Sequence, residues 1–267
     1  MGGLKSESTR LVEPTRFVIA GTQRTGTTLL RTSLSSHPDI DCRGEVFKLG
    51  KSPYALPGGY WAFTRQDASH RLEAALFPRR SFRHFLDNLY GQRACRAVGF
   101  KIMLNHCTSR PYLWPLITEY GVKVILVTRR NVLKTLVSRC AAALSGVYHV
   151  SASLPAKTAV ADWVPQAVKI NPATVIHELD KIAQETDGWR DRVNQLERME
   201  LVYEDYIQDQ PYWTDTVLSF LRVPKQALTS DLRKVNPDSL QCLIANYDEI
   251  TGVVLRSPYA SCLTTND

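Results

Sequence analysis

The sequence predicts a three-layer α/β fold, in which a central parallel sheet is flanked by helices on both faces. Short apolar runs of strand length alternate along the chain with longer segments of helical periodicity. Strands that alternate with helices form parallel sheets, because each crossover helix carries the chain back to the edge where the previous strand began. The chain has 267 residues, which is enough for one such domain with a sizeable buried core.

Each predicted element follows from a local pattern and from the residues that end it. Apolar runs predict buried strands at residues 16–20, 97–103, 122–127 and 199–203. Helical periodicity predicts helices at residues 27–36, 131–144, 171–196, 213–221 and 238–246. The proline- and glycine-rich stretch at residues 50–63 predicts an ordered loop. We expect residues 1–15 to form a flexible tail and residues 16–267 to form a single domain.

Composition narrows the class of protein and its compartment. The formal net charge of +7 favours anionic partners, but the basic residues form no long run, which argues against a nucleic-acid-binding tail. The six cysteines lack metal-ligand spacing and indicate a reducing compartment. Without a signal peptide or an apolar run of about 20 residues, we expect a cytoplasmic protein with no stable membrane insertion.

The start Met-Gly-Gly-Leu-Lys-Ser matches a lipidation signal, although a flexible start is the plainer interpretation. Nothing in the sequence indicates an oligomeric state.

The stretch Gly-Thr-Gln-Arg-Thr-Gly-Thr-Thr, which starts at Gly21, links the first predicted strand to the first predicted helix. In that position, backbone N–H groups and a helix N-terminus converge and form an anion site suited to phosphate. Gly21 and Gly26 have the spacing of the P-loop motif, and Thr28 stands at its Ser/Thr position. Thr27 replaces the P-loop lysine, so the only cation of the loop is Arg24. The predicted fold is therefore P-loop-like, with an altered phosphate loop.

The residues after the strand at 122–127 bear on the use of a metal. A nucleotide-hydrolysing enzyme needs the P-loop lysine and a metal held by an acid at a strand end. Here Thr128, Arg129 and Arg130 follow the strand, without an acid. The loop is therefore predicted to hold a phosphate-like group without a metal. Two alternatives stay open: a kinase-like phosphotransferase that uses ATP, and a non-enzymatic nucleotide- or nucleic-acid-binding module. The interleaved basic and aromatic residues at 77–85 favour the second, although an amphipathic helix explains them too.

A second anion clamp is predicted at the helix that follows this strand. Ser138 lies eight residues after Arg130, about two helical turns along. An arginine fork together with a hydroxyl suits a phosphate group. Arg129 and Arg130 oppose the helix dipole at this end, so a bound anion would relieve an unpaired arginine pair.

Three stretches, in this order along the chain, resemble the motifs of the PAPS-dependent sulfotransferase family, whose donor is 3′-phosphoadenosine 5′-phosphosulfate (PAPS). Gln-Arg-Thr-Gly-Thr-Thr at residues 23–28 resembles its 5′-phosphosulfate loop. Val-Thr-Arg-Arg-Asn at residues 127–131, with Ser138 further on, resembles its 3′-phosphate element. Leu-Val-Tyr-Glu-Asp at residues 201–205 resembles the strand whose tyrosine lies near the adenosine. Within the family, the sequence is most similar in its motifs to bacterial members that sulfate carbohydrates and metabolites.

The resemblance implies a site and a reaction. The enzyme would transfer a sulfonate group from PAPS to a hydroxyl or amine of a small-molecule acceptor, without a metal, and release adenosine 3′,5′-bisphosphate (PAP). Arg130 and Ser138 would hold the 3′-phosphate, and Tyr203 would lie near the adenosine. The 5′-phosphosulfate would be held by Gln23, Arg24, Thr25, Gly26, Thr27 and Thr28.

The chain departs from the family pattern at three places. Arg24 stands where cytosolic eukaryotic members have lysine, and bacterial members also have arginine at this position. Val132 stands where the family pattern has proline. The C-terminal RKGxxG loop of the cytosolic group is missing, and Lys234 is the candidate replacement for its phosphate contact.

Sulfonate transfer needs a base for the acceptor's proton and cations for the charge that builds on the leaving phosphate. Arg24 and Lys101 are the candidate cations. Glu45 resembles the glutamate base of bacterial and glycan sulfotransferases, and His106 resembles the histidine base of cytosolic members. We favour Glu45, because the C-terminal part of the chain resembles bacterial members.

The acceptor stays open at the level of sequence. A carbohydrate, a glycolipid and a secondary metabolite all fit, and O- and N-sulfation are not distinguished. Tyr60, Trp61 and Phe63 would suit an acceptor pocket, but core packing explains these aromatic side chains equally well.

Overall fold

A computed structural model describes residues 13–48, 58–91, 94–146, 150–151, 167–233 and 239–264. A five-stranded parallel sheet forms its centre, with the strand order β2-β3-β1-β4-β6. The strands are β1 (Thr15–Gly21), β2 (Ile40–Arg43), β3 (Ala97–Met103), β4 (Lys123–Thr128) and β6 (Arg198–Val202). Two short strands, β5 (Val150–Ser151) and β7 (Leu232–Arg233), form a separate antiparallel pair. The central parallel sheet confirms the predicted fold class.

Twelve α-helices and one 3₁₀-helix lie within the described ranges. The first six are α1 (Thr27–Leu34), α2 (Tyr60–Phe63), α3 (Ala68–Leu76), α4 (Pro78–Tyr90), α5 (Leu104–Ser109) and α6 (Leu113–Glu119). The others are α7 (Val132–Ser145), α8 (Val175–Val193), α9 (Tyr203–Gln208), α10 (Gln210–Leu221), α11 (Leu240–Leu243), α12 (Tyr247–Val254) and the 3₁₀-helix Ala260–Leu263. None of the helices in these ranges has the length and apolar character needed to cross a membrane.

Helices cover both faces of the sheet because the side chains of each central strand point alternately to the two faces. On one face, alternate residues of β1, β3 and β4 pack against α4, α6 and the C-terminal part of α8. On the other face, the intervening residues pack against α1, α9 and α10. A third buried cluster joins α7 and α8 to α11, α12 and the 3₁₀-helix. The first two helix layers and the sheet are the three layers that the sequence predicts.

Several predicted boundaries were wrong for local reasons. The long helix starts at Val175 rather than at residue 171, because the Asn171 side chain accepts the N–H of Ala173 and closes a turn first. Tyr203 starts α9 instead of ending a strand. Residues 60–63, predicted as loop, are helical, while residues 49–57 lie outside the described ranges.

Two further elements departed from the sequence prediction. The helix predicted at residues 238–246 is not continuous in its described part: α11 ends at Leu243, and the separate helix α12 begins at Tyr247. The sequence prediction also missed β2, since Ile-Asp-Cys-Arg at residues 40–43 is short and half polar.

The strand order explains where a ligand site can form. All five strands are parallel, so their carboxyl ends lie along one edge of the sheet. The chain leaves β1 towards β2 on one side and leaves β4 towards β6 on the other, which opens a crevice between the ends of β1 and β4. The loop after Gly21 and the residues after Thr128 meet at this crevice.

Candidate active site

The loop between β1 and α1 has the backbone of an anion site. Two of its residues have positive φ angles, Arg24 at 69° and Gly26 at 91°. A positive φ is uncommon outside glycine and costs about 1–2 kcal/mol, so strain is stored at Arg24. Gly26 is the N-cap of α1, and the first turn has neither a side-chain cap nor an acidic residue. The positive end of α1 is therefore available to an anion.

Neighbouring elements hold this loop at its carbonyl groups. The indole Nε1–H of the fully buried Trp189 donates to the carbonyl of Gly21 at 3.1 Å. Arg139 donates to the carbonyl of Gln23 at 3.5 Å, and Arg129 to that of Arg24 at 3.5 Å. With three of the loop's carbonyl groups bound from outside, its shape is fixed by α8, α7 and the end of β4.

The two predicted anion-binding stretches meet in the structure. The Nε of Arg24 donates to Oγ of Ser138 at 2.8 Å, although 114 residues separate them. Ser138 is buried on α7. The hydroxyl predicted for the 3′-phosphate therefore lies beside the cation predicted for the 5′-phosphosulfate.

Acidic residues pair with the arginines that follow β4. Arg130 binds Asp205 through its guanidinium, and Arg129 lies 3.7 Å from Glu204. Glu204 also accepts the backbone N–H groups of Arg130 and Asn131 at 3.1 Å each, which satisfies the start of α7. The sequence argument that an unpaired arginine pair awaits an anion was therefore wrong, because the chain supplies its own carboxylates. The Arg130 side chain is still 57% exposed and can reach a ligand.

Tyr203 lies against the phosphate loop, where the sequence predicts the adenosine. The guanidinium of Arg129 stands 4.9 Å from the centre of its ring. A Cβ atom at Gly26 would lie 2.4 Å from Cδ2 of Tyr203. Gly26 is thus needed twice, for its positive φ and for the approach of the tyrosine ring.

Gly26→Ala is expected to destabilise the protein more than Gly146→Ala does. Both residues have positive φ, but a Cβ at Gly146 would meet nothing within 4 Å. The backbone cost of about 1–2 kcal/mol applies to both, and overpacking against Tyr203 adds about 1–3 kcal/mol only at Gly26. Urea unfolding of the two variants measures the difference, and equal losses would show that Tyr203 does not pack there.

Glu45, Lys101 and Thr28 form the centre of the site. Nζ of Lys101 lies 3.0 Å from Oε1 of Glu45 and donates to Oγ1 of Thr28 at 2.9 Å. Lys101 lies within β3 and points towards α1, while Glu45 follows β2, which pairs with β3. One buried cation therefore joins the phosphate loop to the candidate base.

The charges of this cluster set the protonation states. Burial raises the pKa of Glu45, but the charge of Lys101 and its hydrogen bond outweigh burial, so the pKa lies below its ordinary value. Burial lowers the pKa of Lys101, and Glu45 opposes that shift. Burial also lowers the pKa of His106 to about 4, again against the charge of Glu45. At neutral pH, Glu45 is ionised and His106 is neutral.

The two candidate bases are neighbours in one cluster. Nδ1 of His106 accepts the backbone N–H of Met103 at 3.3 Å, so the neutral ring carries its proton on Nε2. That Nε2 stands 3.6 Å from Oε2 of Glu45. The nitrogen of His106 that carries the proton therefore faces the carboxylate of Glu45. The other ring nitrogen, which has the lone pair, is turned towards the backbone N–H of Met103.

The remaining candidates have other roles or lie outside the described residues. Tyr60 stacks on Phe82 at 3.9 Å and Phe63 is buried, so both belong to the core. Trp61 is half-buried and stacks with Arg65. Lys234 lies outside the described residues.

The helix α4 accounts for the basic and aromatic residues around residues 77–90. Phe82 and Phe85 are buried on its inner side, which prevents them from stacking on bases. Arg79 and Arg83 lie on its outer side and pair with Glu119. The amphipathic-helix interpretation of this stretch is the one that the packing supports.

Sequence reasoning missed four residues that shape the site. Glu204 and Asp205 had a usable signal, since two acids directly after a strand end reach the same sheet edge as the arginines. The indole of Trp189 and the side-chain amide of Asn131 each donate to a carbonyl group far away in sequence, and no local pattern indicates these two contacts.

The known proteins that are similar to this chain are sulfotransferases. A family model described as "Sulfotransferase family" matches residues 15–227. Among solved structures, a sulfotransferase from Alicyclobacillus acidocaldarius is 17% identical, with 94% of each chain covered and a TM-score of 0.47. The sulfotransferase domain from the curacin biosynthetic pathway is 13% identical, with 95% of this chain and 96% of that one covered and a TM-score of 0.48. Mouse sulfotransferase SULT7A1, solved with PAP, is 13% identical, with 95% and 89% covered and a TM-score of 0.42. No curated protein matches the chain.

The parallel sheet, with a glycine-containing loop between its first strand and the first helix, is a P-loop-like fold. The chain belongs to the sulfotransferase family, since the family model covers most of it. Its reaction is the transfer of a sulfonate group. The structural likenesses are too distant to assign residues, so the roles of individual side chains are argued from this chain's own geometry.

Proposed function

We propose that this enzyme transfers a sulfonate group from PAPS to a hydroxyl or amine of a small-molecule acceptor and releases PAP, with Glu45 as the base. The acceptor is a carbohydrate, a glycolipid or a secondary metabolite. One observation carries the proposal: Lys101 contacts both Thr28 of the phosphate loop and Glu45, at 2.9 and 3.0 Å. This contact supports a site in which donor and base lie on either side of one cation.

The donor half of the proposal rests on the loop and on α7. The N-terminus of α1 and Arg24 would bind the 5′-phosphosulfate, together with the backbone of residues 23–28. Arg130 and Ser138 would bind the 3′-phosphate. Because Asp205 holds Arg130, the phosphate would share that guanidinium with the carboxylate or displace it.

In the proposed transfer step, the acceptor's proton and the negative charge of the leaving phosphate each go to identified groups. The acceptor oxygen or nitrogen forms a bond to sulfur while the bond from sulfur to the bridging phosphate oxygen breaks. The acceptor's proton goes to the carboxylate of Glu45, and the electron pair of the broken bond stays on the phosphate. Lys101 and Arg24 stabilise that growing negative charge.

In this proposal, His106 supports the base Glu45 and is not itself the base. Its Nδ1 is bound to the N–H of Met103, so its protonated Nε2 can donate towards Glu45 but cannot take a proton from the acceptor. We therefore propose that His106 orients the carboxylate and keeps it ionised.

We also propose that the transfer needs no metal and takes place in the cytoplasm. Thr27 replaces the P-loop lysine, and Arg129 and Arg130 stand after β4 where a metal-binding acid would be expected in a kinase. All six cysteines are free thiols, which suits a reducing compartment.

Transfer is expected to persist in excess EDTA. The test incubates the enzyme with PAPS and a panel of sugars, glycolipids and aromatic or aliphatic alcohols and amines, and detects PAP and the sulfated product by mass spectrometry. Unchanged rates with chelator support the proposal. Loss of transfer on chelation, restored by Mg²⁺, would contradict metal independence, and phosphorylated products from ATP would favour the kinase-like alternative.

A further inference from the structure

Asn131 lies at the start of α7, next to the arginine assigned to the 3′-phosphate, and is fixed on several sides. It is 1% exposed. Its Oδ1 accepts the N–H of Lys134 at 2.9 Å and so caps the helix, and its N–H donates to Glu204. Its Nδ2 donates to the carbonyl of Cys262 at 2.8 Å. One side chain therefore ties the start of α7 to the C-terminal 3₁₀-helix.

The segment that receives this hydrogen bond lies beyond the part of the chain that matches the family model, which ends at residue 227. The 3₁₀-helix Ala260–Leu263 packs on α7 through the buried Cys262. Tyr259 anchors the same turn to α8, because its hydroxyl donates to Asp180 at 2.6 Å. The C-terminal turn is thus held by α8 and in turn holds α7.

We propose that Asn131 is a positioning residue for the 3′-phosphate, and that the C-terminal 3₁₀-helix is part of the donor site through it. The inference rests on the proposed donor. Arg130 precedes Asn131, and its side chain leaves the backbone at the point that Glu204 and Asn131 hold in place. Ser138 lies on the same helix, so a shift of the helix start changes the distance between the two phosphate ligands.

Asn131→Ser separates positioning from capping. Serine is also a good N-cap and can accept the N–H of Lys134, but it cannot reach the carbonyl of Cys262. No charge is added near the phosphate. Titration calorimetry with PAP and with AMP, which lacks the 3′-phosphate, is expected to show an affinity for PAP about tenfold lower and an affinity for AMP changed less than twofold.

Two further variants keep the test decisive. Val254→Ala loosens the same C-terminal cluster without touching the Asn131 contact, and it should lower the melting temperature yet keep the preference for PAP. If Asn131→Ser does not fold, Tyr259→Phe weakens the same turn from the side of α8 and should lower the preference in the same direction. An unchanged preference in the folded variants overturns the inference alone. No preference for PAP in the unaltered enzyme overturns the proposed donor, and the inference with it.

Discussion

Glu45→Gln is expected to lower turnover by about 10²–10⁴-fold, the range for removal of a positioned base. The amide keeps the size of the side chain but cannot take the acceptor's proton. Because Glu45 is ionised through its contact with Lys101, the unaltered enzyme needs no prior deprotonation at neutral pH. Affinity for PAP should change little, since the proposed function places the acceptor, rather than PAP, beside the carboxylate. An amine acceptor would show a smaller loss, because it can arrive partly deprotonated.

The chain contains a matched control for this substitution. Glu197 also forms an ion pair with a buried lysine, Lys123, which starts β4 and so lies at the opposite edge of the sheet. Glu197→Gln should keep full turnover. His106→Ala should lose less activity than Glu45→Gln, because the proposal gives the imidazole only the support of the carboxylate. Near-normal turnover of Glu45→Gln together with an inert His106→Ala would overturn the assignment and make His106 the base.

Lys101→Met is expected to lower turnover by about 10²–10³-fold, the loss typical of one donor that stabilises transition-state charge. Methionine fills the buried space but leaves the leaving phosphate without this cation. It also removes the strongest influence that lowers the pKa of Glu45. The pKa of Glu45 should therefore rise, and the acid limb of the pH–rate profile of the variant should move to higher pH.

Lys123→Met is the control for Lys101→Met. Lys123 is equally buried and donates to the carbonyl of Phe220, but it lies far from the phosphate loop. Lys101→Met is also expected to lose stability, because it leaves the mostly buried Glu45 without its partner, whereas Glu197 is 58% exposed and the loss of its lysine costs little. Only Lys101→Met should lose turnover and shift the pH profile. Equal turnover in the two variants would show that Lys101 has a structural role alone.

The parts of the site that were predictable are those with a local signal. The phosphate loop is contiguous, so Gly21, Gly26 and Arg24 could be identified from spacing alone. Apolar runs identified four of the five strands of the sheet, and the resemblance to bacterial members identified Glu45 as the candidate base, although the strand that precedes it was missed. These features depend on neighbours in sequence, which is why they could be predicted.

The rest depends on contacts between distant segments. The pairing of Arg130 with Asp205, 75 residues away, depends on the register of β4 against β6, and the prediction of an unpaired arginine failed because it considered the residues after one strand only. The relation of Glu45 to His106 also needed the fold, because the tautomer of His106 is set by the backbone N–H of Met103 at the end of β3. Sequence presented the two bases as alternatives, whereas the structure places them in one cluster.

The most direct test of the donor site is calorimetric binding of PAP and AMP to the unaltered enzyme and to Arg130→Ala. Charge-assisted hydrogen bonds to the 3′-phosphate contribute about 1.5–3 kcal/mol. The unaltered enzyme should therefore bind PAP about 10–100-fold more tightly than AMP, and Arg130→Ala should lose most of that preference while keeping its affinity for AMP. Equal affinities for PAP and AMP in the unaltered enzyme would contradict the assignment of Arg130 and Ser138 and, with it, PAPS as the donor.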